Sequence, residues 1–313
     1  MHIHEVSSSH DVTVAHKSNM ASKIVSLQES FTKFFKAFTR IGSIQPTLIA
    51  LLCWVIVIIG SWIHDFHRPP NFYMSDRRNF FNLVFAKWSL AWTLGFVTPL
   101  MVLIYWMKSK ANLKVVCKHV LRLVVAVAVW YVVVFILGWI EHLTGDCEGT
   151  DLYERKEECQ NEGLVWNGFD ISGHSFLLSY CALIISEEIH AVQFWRKETM
   201  YSKKNNSLSE SMSSSEMIVS KELLRTLESV RANEKFQSEL NKKPEGVRYL
   251  CITWYTICCI LMLMWMTLLA FTSVYFHTVN SKVLGIILGL SAWFLTYQVY
   301  FSSKYFPGYA TGF

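Results

Sequence analysis

Residues 120–140 read VLRLVVAVAVWYVVVFILGWI, and Arg122 is the only charged residue among them. A helix of about 20 such residues crosses the roughly 30 Å hydrocarbon core of a bilayer and satisfies its own backbone polar groups. The chain of 313 residues is 52% hydrophobic and 15% aromatic, which is unlike a soluble protein. Comparable apolar blocks occupy residues 46–63, 80–107, 249–276 and 283–301, and a weaker one, interrupted by Glu187 and Glu188, occupies residues 171–194. The sequence therefore predicts an all-α polytopic membrane protein with about six transmembrane helices.

The distribution of Lys and Arg predicts the orientation of these spans. Basic residues are concentrated before residue 46, in the loop at 108–118 and in the segment 195–248. Because short basic loops stay in the cytosol, we expect both termini on the cytosolic side. We predict a disordered cytosolic N-terminal tail at residues 1–45, a transmembrane domain at 46–303 that includes a Ser-rich cytosolic loop at about 195–247, and a cytosolic C-terminal tail at 304–313.

The segment between the third and fourth spans contains two cysteines, Cys147 and Cys159, in an acidic stretch. With this orientation the segment lies in the lumen, where an oxidising environment permits a disulfide. The sequence leaves open whether the two cysteines form a disulfide or remain a free pair.

Two histidines from distant parts of the chain are predicted at one membrane face. His174 lies at the start of the fourth span and His277 at the end of the fifth. Before His174, Asp170 or Ser172 can cap the helix, and Gly173 allows close backbone approach. Helix N-termini bind anions, and imidazole can attack phosphorus or donate a proton at neutral pH. The pair therefore indicates chemistry on a phosphoanhydride-bearing lipid, and the alternative is that both histidines are only interfacial.

Cationic and amide side chains near the same face are candidate substrate-binding residues. A phosphoanhydride needs positive partners for its oxygens. The candidates are Arg77, Arg78, Lys87 and Lys282, together with Asn79 and Asn82. Lys87 lies about two turns inside the second span, a depth at which a charge is costly. It either serves substrate binding or snorkels and pairs with a carboxylate such as Glu141.

Glu187 and Glu188 do not belong to this site. They follow His174 by 13 and 14 positions, which is about 20 Å along a helix. We interpret them as an interhelical or cytosol-facing polar feature.

Residues 166–178 read WNGFDISGHSFLL and closely resemble the signature of the fat storage-inducing transmembrane (FIT) family. The stretches NFFN at 79–82, KWSLAWT at 87–93 and YFH at 275–277 are also similar, and the resemblance covers about residues 46–303. It implies a relationship to lipid phosphate phosphatases, residence in the endoplasmic reticulum, and a role in lipid droplet formation and membrane homeostasis. The implied activity is hydrolysis of the fatty acyl-CoA pyrophosphate at the luminal face, giving acyl 4'-phosphopantetheine and adenosine 3',5'-bisphosphate. His174 would then act as general acid and base, and His277 as the nucleophile that forms a phosphohistidine.

The sequence departs from the wider phosphatase pattern at three positions. That pattern places Arg six residues before and Asp four residues after the third-motif histidine, where this chain has Phe271 and Ser281. Its first-motif Lys is replaced by Ser61. The orienting carboxylate and the phosphate clamp must therefore come from other residues. The candidates are Asp170, Lys87, Arg77, Arg78 and Lys282.

Three functions remain open at this stage. The leading hypothesis is an acyl-CoA diphosphatase that holds the acyl chain among its helices in the bilayer. The alternatives are a non-catalytic protein that binds diacylglycerol or triacylglycerol and partitions it into droplets, and a phosphatase for phosphatidate-like monoesters. We expect no cofactor, metal or nucleic acid, and the sequence does not identify protein partners.

Overall fold

The computed structural model describes residues 41–42, 44–67, 69–70, 72–108, 112–150, 152–194, 238, 242 and 244–301. Most of the predicted N-terminal tail, nearly all of the Ser-rich loop and the C-terminal tail lie outside the described residues.

Long helices account for most of the described chain. They are α1 (Pro46–His67), α2 (Ser89–Lys108), α3 (Leu113–Leu143), α5 (Gly173–Phe194), α6 (Glu245–Tyr275) and α7 (Val279–Trp293), with the short helix α4 (Lys156–Asn161) between α3 and α5. A 3-10 turn (Tyr73–Ser75) and a π-helical segment (Phe81–Ala86) precede α2, and a second π-helical segment (Phe294–Tyr300) continues α7.

Five of the long helices are long and apolar enough to cross a membrane, namely α1, α2, α3, α6 and α7 with its π-helical extension. The predicted class, an all-α polytopic membrane protein, is confirmed. The weak span predicted at 171–194 forms α5, which has 22 residues like α1 but a more polar sequence that includes Glu187 and Glu188.

Helix α5 lies at the centre of the bundle. It contacts α1, α2, α3, α6 and α7. Consecutive residues from Leu178 to Ile185 are buried on every side. Its neighbours instead expose apolar side chains outward, as at Tyr131, Phe135 and Trp139 of α3. Because protein rather than lipid surrounds α5, this helix tolerates polar residues that a lipid-facing helix would not.

The contact between α5 and α7 depends on two glycines spaced four residues apart. A Cβ atom at Gly285 would lie 2.5 Å from the carbonyl oxygen of Ser172. A Cβ atom at Gly289 would similarly collide with the Ser179 hydroxyl. Small residues at this spacing let two membrane helices approach backbone to backbone. The Ser172 N–H also donates to the Ser281 carbonyl at 3.1 Å, which fixes the register at one end of the pair.

The segment between α3 and α5 forms a compact insert. Strands β1 (Asp146–Cys147) and β2 (Trp166–Asn167) pair antiparallel, with Cys147 opposite Trp166. A disulfide joins Cys147 to Cys159 of α4. The Lys156 ammonium lies 2.6 Å from the Glu141 carboxylate on α3. The insert is therefore anchored to the end of α3 that adjoins the start of α5.

Candidate active site

Helix α5 begins with a capped first turn that holds His174. The Ser175 N–H and hydroxyl both donate to Ser172 Oγ, at 3.3 Å and 3.0 Å. Ser172, rather than Asp170, is therefore the cap, and its side chain is buried. His174 is the second helical residue and is half-buried. Its ring lies where the positive end of the helix dipole and the first-turn N–H groups favour an anion.

His277 lies in the tight corner between α6 and α7. Helix α6 ends at Tyr275, and Thr278 caps α7 by accepting from the Ser281 N–H. His277 has φ 59°, and it is the one non-glycine residue with positive φ among the described residues. Such a conformation is uncommon for a residue with a Cβ and is found disproportionately at functional sites. The corner directs His277 toward the segment before α5.

Asp170 supplies the carboxylate that contacts His277. Asp170 Oδ2 lies 3.2 Å from His277 Nδ1. The hydrogen bond from His277 holds the pKa of Asp170 below its ordinary value, although partial burial opposes this. A carboxylate at Nδ1 fixes the ring orientation and leaves Nε2 with the lone pair. Nε2 is thereby available as a nucleophile.

The position of Asp170 is set by the end of α3. The Phe169 N–H donates to the Thr144 hydroxyl at 3.0 Å. A Cβ atom at Gly168 would lie 2.5 Å from the Glu141 carbonyl oxygen, so only glycine allows this approach. These contacts hold the residues just before α5 against α3 and bring Asp170 to His277.

Three cations act electrostatically on this group. Lys87 lies within electrostatic range of the His174 ring, as do His277 and Asp170. Arg77 and Lys156 act on Asp170. Lys87 and Arg77 are exposed. The site is therefore two imidazoles and one carboxylate with positive charge around them, an arrangement suited to a polyanionic substrate.

Lys156, which acts on Asp170, was not among the cations predicted from the sequence. It lies in the acidic helix α4, whose sequence KEECQN contains no phosphate-binding pattern. Glu141 pairs with Lys156 and not, as the sequence allowed, with Lys87.

Asn79 and Asn82 organise the backbone beside the site. Asn79 is buried, donates to the carbonyls of Met74 and Asp76, and accepts from the Asn82 N–H at 2.7 Å. Asn82 donates to the Arg77 carbonyl at 2.9 Å. The side-chain amides thus support the loop that carries Arg77 and the π-helical segment that ends just before Lys87. Arg78 is exposed, and its N–H donates to the Asp76 carboxylate.

Lys282 does not occupy the position expected of a substrate-binding cation. Its side chain is 0% exposed, and Nζ donates to the Ser273 carbonyl in the last turn of α6 at 2.8 Å. The expectation that it faces substrate is therefore corrected. The sequence predicts that Lys282 lies near the membrane face that carries the two histidines. It does not show that the side chain points back toward α6.

Glu187 and Glu188 form an interhelical network at the other end of α5, as expected. Arg122 Nε lies 3.3 Å from Glu188, which also accepts from the Tyr297 hydroxyl at 2.9 Å. Glu187 accepts from Trp293 Nε1 at 2.9 Å. In the part of the chain that the structure describes, no group of three His, Cys, Asp or Glu side chains has an arrangement that could hold a metal ion.

The chain is similar to known membrane proteins over most of its length. The family model for the fat storage-inducing transmembrane protein matches residues 138–297. Acyl-coenzyme A diphosphatase FITM2 of Homo sapiens is 30% identical over 82% of this chain and 85% of its own length. The Mus musculus protein of the same name is 30% identical over 87% of this chain and 90% of its own. No solved structure matches. With a matching family model and relatives at this identity, the chain belongs to the fat storage-inducing transmembrane family.

Proposed function

We propose that this protein is an acyl-CoA diphosphatase that cleaves the pyrophosphate of fatty acyl-CoA into acyl 4'-phosphopantetheine and adenosine 3',5'-bisphosphate. The observation that carries the proposal is the Asp170–His277 pair, at 3.2 Å, beside the capped start of the helix that bears His174. The relatives named acyl-coenzyme A diphosphatase support the same substrate class.

The reaction uses the two histidines in succession. His277 Nε2 attacks one phosphorus of the pyrophosphate, and the bond from that phosphorus to the bridging oxygen breaks. His174 donates a proton to the departing phosphate oxygen. His174 then takes a proton from water, which attacks the phosphohistidine and regenerates His277. Asp170 keeps the His277 ring oriented and stabilises the positive charge that develops on it.

The surrounding charge serves substrate binding and the transition state. Lys87, close enough to act on His174, offsets the charge of the phosphate oxygens. Arg77 is exposed on the same side as Asp170, where it can contact the nucleotide end of acyl-CoA. Ser172 and Gly173 contribute the N-terminal turn of α5, which favours an anion. Arg78, Asn79 and Asn82 hold the loop that presents these groups.

The acyl chain lies among the helices, beside a row of aromatic rings. Ring centroids are 5.5 Å apart for Phe85 and Trp92, 6.0 Å for Trp92 and Phe96, and 5.6 Å for Phe96 and Trp254. The row starts two residues before Lys87 and continues along α2 to α6. An apolar path beginning at a cation suits a lipid with a charged head.

The charge distribution and the insert support a luminal site. Basic segments on the opposite side of the membrane favour a position of the histidines in the lumen. The disulfide of the insert is compatible with an oxidising lumen. We assign the protein to the endoplasmic reticulum membrane, where turnover of acyl-CoA would support lipid droplet formation and membrane homeostasis.

The test is nucleotide release from oleoyl-CoA by purified protein in detergent, without added metal. Wild type is expected to release adenosine 3',5'-bisphosphate, and His174→Ala and His277→Ala are each expected to lower kcat by about 10³-fold or more, because each removes a reacting group. His142→Ala, an exposed histidine beside the insert, is the matched control and should retain activity. Equal release by all variants, or none from folded wild type, would contradict the proposal and favour non-catalytic binding of diacylglycerol or triacylglycerol.

A further inference from the structure

Lys282 is a buried cation that the proposed chemistry does not use. Its side chain is 0% exposed although it lies in the first turn of α7, five residues after His277. The ammonium donates to the Ser273 carbonyl at 2.8 Å, and Ser273 lies in the last turn of α6. Buried ammonium groups are costly unless paired, so this placement requires a compensating role.

The ammonium stabilises the C-terminal end of α6. The last carbonyls of a helix have no intrahelical partner and carry negative partial charge. A lysine that donates to one of them satisfies the carbonyl and opposes the helix dipole. The charge of Asp65 in α1 also acts on Lys282. At Gly60 of α1, a Cβ atom would lie 2.5 Å from the Ser273 side chain, so α1, α6 and α7 meet closely here.

The corner that contains His277 lies between the two residues joined by this bond. Ser273 precedes His277 by four positions and Lys282 follows it by five. Further bonds hold the α7 side of the corner, among them the Ser281 N–H to Thr278 and the Ser172 N–H to the Ser281 carbonyl. On the α6 side, the Lys282 ammonium donates a hydrogen bond to the final turn, which the Phe72 ring also contacts at Tyr275. The positive φ of His277 persists only while the surrounding structure enforces it.

We infer that Lys282 is a positioning residue for His277: its bond to the Ser273 carbonyl fixes the α6–α7 corner and thereby the geometry of the Asp170–His277 pair. Its catalytic consequence rests on the proposed function. Loss of the ammonium leaves the corner free to relax, and His277 then spends less time aligned with the substrate phosphorus. A misplacement of about 1 Å at a reacting group lowers the rate by about 10²-fold.

The experiment compares Lys282→Met with wild type in two measurements on the full chain in detergent. With oleoyl-CoA, we expect kcat to fall about 10- to 100-fold while KM stays within about twofold, because alignment rather than binding is lost. With diethyl pyrocarbonate, we expect His277 of the variant to be modified several-fold faster relative to the exposed His67. Lys114→Met, which removes an exposed cation from the first turn of α3, is the control and should change neither quantity.

Each outcome separates the possible roles. A rise in KM with unchanged kcat would overturn the inference in favour of substrate binding. Unchanged kcat per folded molecule and unchanged labelling, with a lower yield of folded protein, would overturn it in favour of a purely structural role. If folded wild type releases no nucleotide but His277 labelling still rises in Lys282→Met, the proposed function fails and the positioning role stands.

Discussion

The two ends of α5 both contain charged side chains, yet they are built in opposite ways. At the histidine end, defined by Asp170, His174 and His277, Asp170 is 63% exposed at its side chain and His277 is 18% exposed. At the glutamate end, defined by Glu187, Glu188 and Arg122, the Glu188 side chain is 1% exposed. His277, a member of the first cluster, has positive φ. The second consists of helical residues that bond to neighbouring helices.

This difference separates charges that are exposed enough for the proposed chemistry from charges that hold helices together. A polyanionic substrate must reach its partners, so an open cluster with nearby cations suits chemistry. A more closed cluster, in which each carboxylate accepts from side chains of neighbouring helices, instead fixes the relative positions of α3, α5 and α7. Substitutions at the two ends should therefore change different quantities.

The largest effect on stability is expected at the glutamate end. Arg122→Met leaves Glu188 charged and buried, which should destabilise the folded protein by about 3–5 kcal/mol. Thermal unfolding in detergent measures this, and the kcat of the protein that remains folded should match wild type. The double variant Arg122→Met with Glu188→Leu should recover most of the unfolding temperature that Arg122→Met loses, because no unpaired charge remains. If Arg122→Met were as stable as wild type, the Arg122–Glu188 pair would not be holding the helices together.

The next effect is expected where α5 and α7 touch near the histidine end. Gly285→Ala would place a methyl group against the Ser172 carbonyl, and backbone must move to accommodate it. We expect about 1–3 kcal/mol of destabilisation, with a lower kcat as well because Ser172 caps the helix of His174. Gly95→Ala is the control, since a Cβ atom there meets nothing within 4 Å. Equal behaviour of the two variants in unfolding and kinetics would refute close packing at Gly285.

The smallest effect is expected for Asp170→Asn, which keeps the size of the side chain and removes its charge. Because Asp170 orients His277 without reacting, kcat/KM should fall about tenfold. Asp146→Asn, an exposed carboxylate in the same insert, is the control and should not change kcat/KM.

The same variant gives a pH dependence with a definite sign. The bond from His277 holds the pKa of Asp170 below its ordinary value, so ionised Asp170 stabilises the folded protein above that value. This contribution is lost as the pH falls through the lowered pKa. The unfolding midpoint of wild type should therefore exceed that of Asp170→Asn at neutral pH, and the difference should shrink below about pH 4. A difference that grows on acidification would contradict the pairing.

Much of the site could be anticipated from the sequence, but its contacts could not. His174 and His277 were predicted because helix ends follow from apolar block lengths, and Asp170 was among the candidate carboxylates. That Asp170 bonds to His277 depends on the approach of Gly168 to α3, which involves residues about 27 positions apart. The direction of the Lys282 side chain and the position of Lys156 depend likewise on contacts with other helices.

Local sequence is enough to predict that the chain lies in a membrane, which segments become long helices, and that His174 and His277 lie at helix ends, because apolar run length and local capping are properties of neighbouring residues. That the most polar of the long helices is the central one depends on packing, since only contacts with five other helices can replace lipid around Glu187 and Glu188. Packing likewise sets which charges stay exposed and which contact backbone, because side-chain direction at a helix end depends on contacts with other elements rather than on position in the chain.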